Sequence, residues 1–308
     1  MKAIEVCGIS KSYKDVKAVD DISFTVERES ICAILGPNGS GKTTTIKSIC
    51  NLIQPDQGEI RILGKKNRKA TNHISAVFEG TRNLYWRLTP KENLRYFAGI
   101  SGLGGKNVDR QIDEILERFN LTQKKNVTVN ELSRGMKQKV AIGTTLVCNT
   151  EIILLDEPTL GLDVQSFIDI KEQLKELARD MNKTILLSTH DMNLVEGVSD
   201  KVIVLNKGKL VAKDSMSNLL EMFKSKTYEI VLKDKVNEEV AKRLSNDKYK
   251  IFITENKNVL EVDMHTLNDI FDIVNQFKDN DILIKEIKQK EINFERIYLD
   301  LTKGGTIA

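Results

Sequence analysis

The sequence has few cysteines and few prolines, and it has a single tryptophan: 4 Cys, 4 Pro and 1 Trp in 308 residues. Its cysteines, at positions 7, 32, 50 and 148, form no CxxC pair and mostly lie among apolar neighbours. This spacing argues against a cysteine metal site and against a disulfide framework. It predicts buried free thiols in a reducing compartment.

Long apolar runs are also missing. The N-terminus MKAIEVCGISKSYKD lacks the apolar core of a secretion signal. The longest apolar runs, such as VAIGTTLVC, are far shorter than the roughly 20 residues needed to span a bilayer. We therefore expect a soluble, cytoplasmic chain that would reach a membrane only through a partner.

Neither sign of charge dominates. There are 47 Lys and Arg residues against 44 Asp and Glu residues, and they are scattered rather than clustered. This balance argues against an electrostatic nucleic-acid binder, so no nucleic acid is expected among the partners. A hydrophobic fraction of 40% with 30% charged residues is ordinary for a soluble globular protein, and the length suggests about two domains.

The first part of the chain alternates short apolar strands with helices. AIEVCGI and VDDISFTVE predict antiparallel strands, and SICAIL predicts a buried strand. Further strands are predicted at GEIRIL, HISAVF, EIILLDEP, KTILLST and DKVIVLN, and helices at residues 90–100, 108–119, 133–148 and 164–181. Strands alternating with helices imply a parallel sheet with crossover helices.

The pattern changes after about residue 222. Four short strands, KTYEIVLK, YKIFITEN, VLEVDM and ILIKEIK, are interleaved with the helical patterns VNEEVAKRL and TLNDIFDIVNQF. With a closing helix at 291–301, this is the split βαβ order of ferredoxin-like domains. We expect one larger domain over residues 1–222 and a small α+β domain over residues 223–308. One apolar face of the second helix should carry Leu267, Ile270, Phe271, Val274 and Phe277.

A glycine-rich segment separates the buried strand SICAIL from a helix. GPNGSGKT matches the phosphate-binding loop pattern in full, in the strand–loop–helix context that the motif requires. Backbone N–H groups can converge there on phosphate oxygens, and the helix N-terminus adds partial positive charge. Lys42 would reach the β- and γ-phosphates, and the Thr43 hydroxyl would ligate Mg²⁺. The residues predicted at the phosphates are Gly36, Pro37, Asn38, Gly39, Ser40, Gly41, Lys42, Thr43 and Thr44.

Two carboxylates end the strand IILLDEP. Asp156 would hold the hydration shell of Mg²⁺, and Glu157 would polarise the attacking water. Two acids after a strand are usually just solvated, but a phosphate loop in the same chain favours the catalytic interpretation. The predicted cofactors are ATP and Mg²⁺.

Four motifs occur in one order: GPNGSGKT, then LSRGM at 132–136, LLDEPTLGLD at 154–163 and STHD at 188–191. In this order they resemble the ATP-binding subunits of ABC transporters over about residues 2–222. The resemblance implies an α/β fold, an ABC-type P-loop NTPase with a parallel sheet core, an antiparallel β subdomain and a helical subdomain over about residues 80–150. It also implies that two such subunits sandwich two ATP molecules. Each nucleotide would lie between the phosphate loop of one chain and the LSRGM segment of the other.

The resemblance adds residues to the predicted site. His190 matches the switch histidine that contacts the γ-phosphate, so the predicted catalytic residues are Lys42, Glu157 and His190. Tyr13 matches the aromatic residue that stacks on adenine. Ser133 and Gly135 would contact the γ-phosphate bound by the opposite subunit, beside Arg134 and Met136. The loop by which the subunits touch is matched by Gly161, Leu162 and Asp163.

Two departures from the family pattern matter. Glu79 stands where the family usually has glutamine, at a position that ligates Mg²⁺ and connects the nucleotide to the membrane partner. A carboxylate is a charged, hard oxygen ligand, so Mg²⁺ binding should survive. The predicted metal ligands are Thr43, Glu79 and Asp156. Arg134 and Met136 replace the commoner glycine and glutamine; Arg134 either adds charge near the partner's nucleotide or points outward.

The stretch AVFEGTRNLYWRLTP contains the single tryptophan. Phe78 is expected in the core, whereas Tyr85 and Trp86 are expected on a loop that receives a helix of a transmembrane subunit. Tyrosine and tryptophan are favoured interface anchors. The alternative is that both rings fold back onto their own helical subdomain.

The leading hypothesis is the ATP-hydrolysing subunit of a membrane transporter. The small C-terminal domain with the ending NFERIYLDLTKGG resembles drug- and antibiotic-type exporter subunits, which implies an exporter, although some importers also carry C-terminal regulatory domains. The subunit's expected partners are a transmembrane permease subunit and a second ATP-binding subunit, in a homodimer. It would lie on the inner face of the membrane. The alternative is a soluble ABC-type ATPase that acts on nucleic acid or ribosomes.

Overall fold

The computed structural model describes residues 1–81, 83–222, 227–234, 244, 249–253, 258–264 and 269–289. The helices predicted at 236–244 and 291–301 fall outside these residues, apart from Leu244. The first compact unit takes in Met1–Ser217, and the second starts at Asn218.

A mixed sheet forms the centre of the first unit. In the described part of the chain its order is β10-β9-β3-β8-β7-β6, with β3 to β9 parallel and β10 antiparallel to β9. β3, β7 and β8 are buried along their whole length, which explains their apolar runs ICAIL, IILL and ILL. The predicted parallel sheet is confirmed. Its strands are β3 (Ile31–Leu35), β6 (Ile74–Val77), β7 (Ile152–Asp156), β8 (Thr184–Thr189), β9 (Lys201–Asn206) and β10 (Lys209–Ser215).

An antiparallel sheet covers one side of this core. Its described strands are β1 (Lys2–Tyr13), β2 (Val16–Glu27), β4 (Gln57–Ile62) and β5 (Lys65–Lys66), in the order β2-β1-β4-β5. Ile4 and Phe24 from this sheet share one buried cluster with Ile34 and Ile203 from the mixed sheet. The alternating sequences of β1 and β2 thus have one face in the core.

Helices surround the mixed sheet, and several begin at capping residues. Thr89 forms a capping box with Glu92, and Pro90 takes the first helical position. At three other helices the side chain of the N-cap residue accepts hydrogen bonds from backbone N–H groups of the first turn; these residues are Ser133, Asp163 and Asp191. α2, α3 and α4 form the predicted helical subdomain. The described helices of this unit are α1 (Lys42–Ile49), α2 (Pro90–Ile100), α3 (Lys106–Arg118), α4 (Arg134–Val147), α5 (Val164–Arg179), α6 (Met192–Val198) and α7 (Met216–Met222), the last extending past Ser217.

The second unit has its own antiparallel sheet and core. Its described elements are β11 (Thr227–Leu232), β12 (Tyr249–Ile253), β13 (Val259–Met264), α8 (Asp269–Asp279) and β14 (Ile284–Gln289). The order β12-β13-β11-β14 places β13 between the first two strands, as in a split βαβ fold. The predicted face of α8 is partly wrong: Phe271 and Val274 are exposed, whereas Ile273 and Phe277 are buried.

The cysteines are free thiols, but they are not all buried. Cys32 is buried, and Cys50 and Cys148 are partly buried. Cys7 is exposed, because it lies on the outward face of β1, so the expectation of buried thiols is wrong there. Burial raises the pKa of Cys32 and of Cys50 to about 12, and it also raises the pKa of Cys148.

Candidate nucleotide site

The phosphate loop (residues 36–43) connects the end of β3 to the start of α1. Gly41 has φ 102°, and a β-carbon there would lie 2.4 Å from the carbonyl oxygen of Ala18. Only glycine fits this combination of a left-handed backbone and close approach. The buried Lys42 side chain curls back into the loop and donates from Nζ to the carbonyl oxygens of Gly36 (2.8 Å) and Pro37 (3.3 Å). The ammonium group is therefore held at the mouth of the loop.

Asp156 lies at the end of β7, beside the first turn of α1. It is 2% exposed, and its Oδ1 accepts a hydrogen bond from Thr43 Oγ1 at 3.1 Å. The same oxygen accepts from the Ser188 hydroxyl at the end of β8. Sequence reasoning gave Ser188 no role of its own, although it is the first residue of the STHD motif. A buried carboxylate with two hydroxyl donors is a well-satisfied anion.

Glu157 connects the two sides of the site. Its Oε1 lies 3.2 Å from Lys42 Nζ, and its Oε2 lies 3.0 Å from His190 Nδ1. The carboxylate is 8% exposed, whereas the His190 side chain is 47% exposed. Glu157 has φ 51°, and its N–H donates to the carbonyl oxygen of Ser188 at 3.0 Å. The chain therefore turns sharply after Asp156, which directs the two neighbouring carboxylates to different partners.

Residues 38–44, Glu157 and His190 line one cleft of about 550 Å³, whereas Gly36, Pro37 and Asp156 do not line it. Tyr13 lines it from the end of β1, with a ring that is 44% exposed and Lys11 Nζ 5.9 Å from the ring centroid. Glu79 lines it from the turn after β6. Residues of the phosphate loop, Glu157 and His190 thus lie around the same cleft as Tyr13 and Glu79. Val16, Ala18 and Leu160 also line the cleft, and sequence reasoning missed them.

The signature segment (residues 132–136) does not line this cleft. Ser133 caps α4, its Oγ accepting from the Met136 N–H at 3.2 Å. Ser133 and Arg134 are exposed, Gly135 is buried and Met136 is half-buried. None of these four predicted nucleotide contacts lines the 550 Å³ cleft, although Arg134 shares a neighbouring cleft with Glu157.

The predicted subunit contact lies between Glu157 and α5. In this loop, residues 158–163 (the Gly161 loop), Gly161 has φ 66°. At the end of the loop, Asp163 accepts from the Ser166 N–H at 2.9 Å and from the Ser166 hydroxyl at 2.7 Å. Both bonds fix the first turn of α5, and the N-cap hydrogen bond lowers the pKa of Asp163.

The aromatic residues after β6 are exposed. Tyr85 is 45% exposed and Trp86 is 48% exposed. The Tyr85 hydroxyl donates to Tyr96 on α2 at 2.8 Å, and Lys137 Nζ lies 5.2 Å from the Trp86 ring centroid. Phe78, in contrast, packs against the main core. Tyr85 therefore does touch its own helical subdomain, but about half of each ring surface stays available.

Comparison with known proteins identifies the family of the chain. The family model described as ABC transporter matches residues 19–160, which include the phosphate loop and Glu157. The ABC transporter ATP-binding protein NatA of Bacillus subtilis is 37% identical over 241 residues, which are 76% of this chain and 98% of that protein.

Two relatives match nearly the whole chain. The bacitracin transport ATP-binding protein BcrA of Bacillus licheniformis is 32% identical over 99% of this chain and 98% of its own length. The linearmycin resistance ATP-binding protein LnrL of Bacillus subtilis is 29% identical over 97% of this chain and 98% of its own length.

A solved dimeric ATP-binding cassette in a post-hydrolysis state, bound to ADP and phosphate, is also similar. The two are 28% identical with a TM-score of 0.63, over 69% of this chain and 98% of that one. Within the residues that the structure describes, we find no helix with both the length and the apolar character needed to cross a membrane. The chain belongs to the family of ATP-binding proteins of ABC transporters.

Proposed function

We propose that this subunit binds ATP with Mg²⁺ in the 550 Å³ cleft and hydrolyses it to drive an exporter. The observation that carries the proposal is the contact of Glu157 with both Lys42 and His190 inside the cleft that holds the phosphate loop. A cation for the phosphates, a carboxylate for the water and a histidine near the γ-phosphate are the groups that this hydrolysis needs.

The hydroxyl of Thr43 and the carboxylate of Asp156 fit a magnesium site. Their oxygens lie 3.1 Å apart. Neighbouring ligands of an octahedral Mg²⁺ with bonds of about 2.1 Å are spaced by about 3 Å. Glu79 would supply a further oxygen from across the cleft. When bound, Mg²⁺ would neutralise charge that develops on the β- and γ-phosphates.

Lys42 and Glu157 would exchange partners when ATP binds. The γ-phosphate would compete with the Glu157 carboxylate for the Lys42 ammonium, which now lies 3.2 Å from Oε1. Glu157 would then be released to accept a proton from the attacking water, while His190 stays within reach of its Oε2. Breaking the Lys42–Glu157 ion pair would in this way make Glu157 available as a base when ATP is bound.

The position of the signature segment supports a two-subunit site. Ser133 and Gly135 lie outside the cleft that contains Lys42, so they would reach a nucleotide only in a second copy of the chain. The free N–H groups at the start of α4 suit an anion at this place. Arg134 and Met136 would flank the same nucleotide, and the Gly161 loop would form part of the contact between the copies.

Export follows from the relatives that match the whole chain. Bacitracin transport and linearmycin resistance are the roles in their names, and both proteins include the region of the second unit. We infer a transmembrane permease subunit as partner and a position on the inner face of the membrane, with Tyr85 and Trp86 as the docking surface.

The test combines turnover with isolation. The purified full-length chain should hydrolyse ATP only with Mg²⁺, and a tagged chain should be isolated from membranes with an integral membrane subunit. A chain that neither binds nor hydrolyses ATP would overturn the ATPase proposal. Isolation with ribosomes or nucleic acid, and without any membrane protein, would overturn the transporter proposal.

A further inference from the structure

Arg134 rests on the Gly161 loop of its own subunit. A β-carbon on Gly161 would lie 2.2 Å from Nη1 of Arg134 and 2.6 Å from its Cζ. The guanidinium group therefore lies against Gly161, and a side chain at this position would have to displace it. The sequence analysis allowed two orientations for Arg134, near the partner's nucleotide or outward into solvent. Neither of them includes this contact within one subunit.

The contact is not explained by an ion pair. Among the residues that the structure describes, none forms a hydrogen bond or a salt bridge with the Arg134 side chain, although it is exposed and free to find one. Arg134 instead shares a cleft of about 320 Å³ with Glu157, Leu160 and Leu162. The signature arginine is therefore placed between α4 and the chain that follows the candidate catalytic carboxylate.

A second contact lies beside the first one, between the first turn of α4 and the first turn of α5. A β-carbon on Gly135 would lie 2.1 Å from the hydroxyl oxygen of Ser166, in the first turn of α5. The first turn of α4 thus contacts both ends of the span of residues 161–166: Arg134 lies over Gly161, and Gly135 lies against Ser166. Because the first turn of α4 touches this span at two places, we expect a shift of the signature segment to displace the span as well.

The Gly161 loop is connected directly to Glu157. Gly161 at φ 66° and Glu157 at φ 51° both have left-handed backbones, and the N–H of Leu160 donates to the carbonyl oxygen of Glu157 at 3.3 Å. Displacing the Gly161 loop would therefore reorient Glu157, whose carboxylate contacts Lys42 and His190. Arg134 and the hydrolytic site are mechanically connected through about one turn of chain.

We propose that Arg134 is a positioning residue that ties the signature segment to the Gly161 loop. The segment that would touch the partner's nucleotide then moves together with the Glu157 that acts on the subunit's own nucleotide. Binding at one site would in this way set the geometry of the other and make hydrolysis cooperative. The inference rests on the proposed two-subunit ATPase.

Four full-length proteins test it: Arg134→Ala, Gly161→Ala, the double variant and Arg110→Ala. Arg110 is an exposed arginine on α3 and serves as the matched control. Arg134→Ala should lower kcat by roughly tenfold to a hundredfold, as expected for misplacement by about 1 Å, with a smaller change in KM. The Hill coefficient for ATP should fall towards 1. Gly161→Ala should lower kcat less in the Arg134→Ala background than in the wild type, because the guanidinium group that the new methyl group would crowd is absent there.

Amide hydrogen exchange gives a readout that needs no turnover. Without nucleotide, residues 158–163 should exchange faster in Arg134→Ala than in the wild type, and Arg110→Ala should show no change. Wild-type turnover with an unchanged Hill coefficient and unchanged loop exchange in Arg134→Ala would overturn the inference. If the effects of Arg134→Ala and Gly161→Ala on kcat are independent of each other in the double variant, the inference is overturned as well. Absence of hydrolysis in every variant and in the wild type would count against the ATPase proposal, and the exchange result would still decide this one.

Discussion

Glu157 is the residue with the most specific set of contacts in the cleft. Its two carboxylate oxygens face Lys42 and His190 separately, whereas Asp156 next to it is occupied by the hydroxyls of Thr43 and Ser188. Adjacent acids thus have different environments, one suited to Mg²⁺ and the other to a proton. Sequence analysis assigned these two roles from the motif, whereas the turn at Glu157 that directs adjacent acids to different partners is visible only in the structure.

Glu157→Gln should separate binding from chemistry. The amide keeps the shape of the carboxylate but cannot accept a proton, so hydrolysis should fall by on the order of 10²- to 10⁴-fold. Nucleotide binding should persist, and an ATP-bound dimer should accumulate because it is not consumed. Steady-state turnover and size-exclusion chromatography with ATP and Mg²⁺ measure these effects. Glu196→Gln, at an exposed site on α6, is the control. Full turnover by Glu157→Gln would refute the role assigned to Glu157.

The four thiols should differ in reactivity. A thiolate is the nucleophile, and the pKa of Cys32 and Cys50 is raised to about 12, so at pH 8 these thiols stay protonated as well as shielded. Iodoacetamide should therefore alkylate Cys7 first in the folded protein, with Cys148 slower because burial raises its pKa too. Peptide mass spectrometry would follow the labelling, and urea-unfolded protein should be labelled at all four. Alkylation of Cys32 as fast as Cys7 in folded protein would contradict the arrangement.

At the scale of elements, sequence reasoning succeeded where one local signal was sufficient. β3, β7 and β8 were predicted because they are buried along their length and each contains an apolar run. The strand β10 was missed, although Lys207 and Gly208, with φ 48° and 79°, form the tight turn of a β9–β10 hairpin. The helix α6 was missed because it is only seven residues long.

Side-chain orientation was harder to predict than element type. The apolar stripe on α8 contains more hydrophobic residues than the unit buries, so periodicity alone did not exclude Phe271 and Val274. The position of Arg134 over Gly161 could not be predicted either, since it depends on where α4 and the loop before α5 meet. The motifs gave the members of the candidate site, whereas the packing of separate elements gave their contacts.

The segment after β6 carries the prediction that belongs to this scale. Trp86→Ala should leave folding and ATP binding nearly intact, because about half of the side chain is already exposed and it lies outside the ATP cleft. Assembly with the transmembrane subunit should weaken by about 2 kcal/mol or more if Trp86 is a hot spot of that interface. Thermal unfolding, nucleotide binding and pull-down of the assembled transporter measure the three properties.

A matched control for Trp86 is available in the same unit. Leu52 is 64% exposed and follows α1, so Leu52→Ala removes a comparably exposed apolar side chain elsewhere. It should leave assembly unchanged. If Trp86→Ala unfolds in isolation, or assembles as well as Leu52→Ala, then Trp86 belongs to the packing of its own helical subdomain.

At the scale of the whole molecule, nucleotide chemistry belongs to the first unit. Every residue lining the 550 Å³ cleft, from Tyr13 to His190, precedes the division at Ser217, as judged over the residues that the structure describes. The second unit has a separate buried cluster that includes Ile230, Leu260 and Phe277. A domain with its own core can be removed without opening the core of its neighbour.

A protein that ends at Met222 should therefore fold and bind ATP with Mg²⁺ as tightly as the full chain. Circular dichroism and thermal unfolding would establish that it is folded, and calorimetric titration would compare its affinity with that of the full-length protein. Equal affinity with altered turnover or altered ATP-dependent dimerisation would assign the second unit to regulation or to the contact between copies, since neither outcome needs a group in the cleft. A well-folded truncated protein that no longer binds nucleotide would show instead that residues after Met222 complete the site, and would contradict the division of labour between the two units.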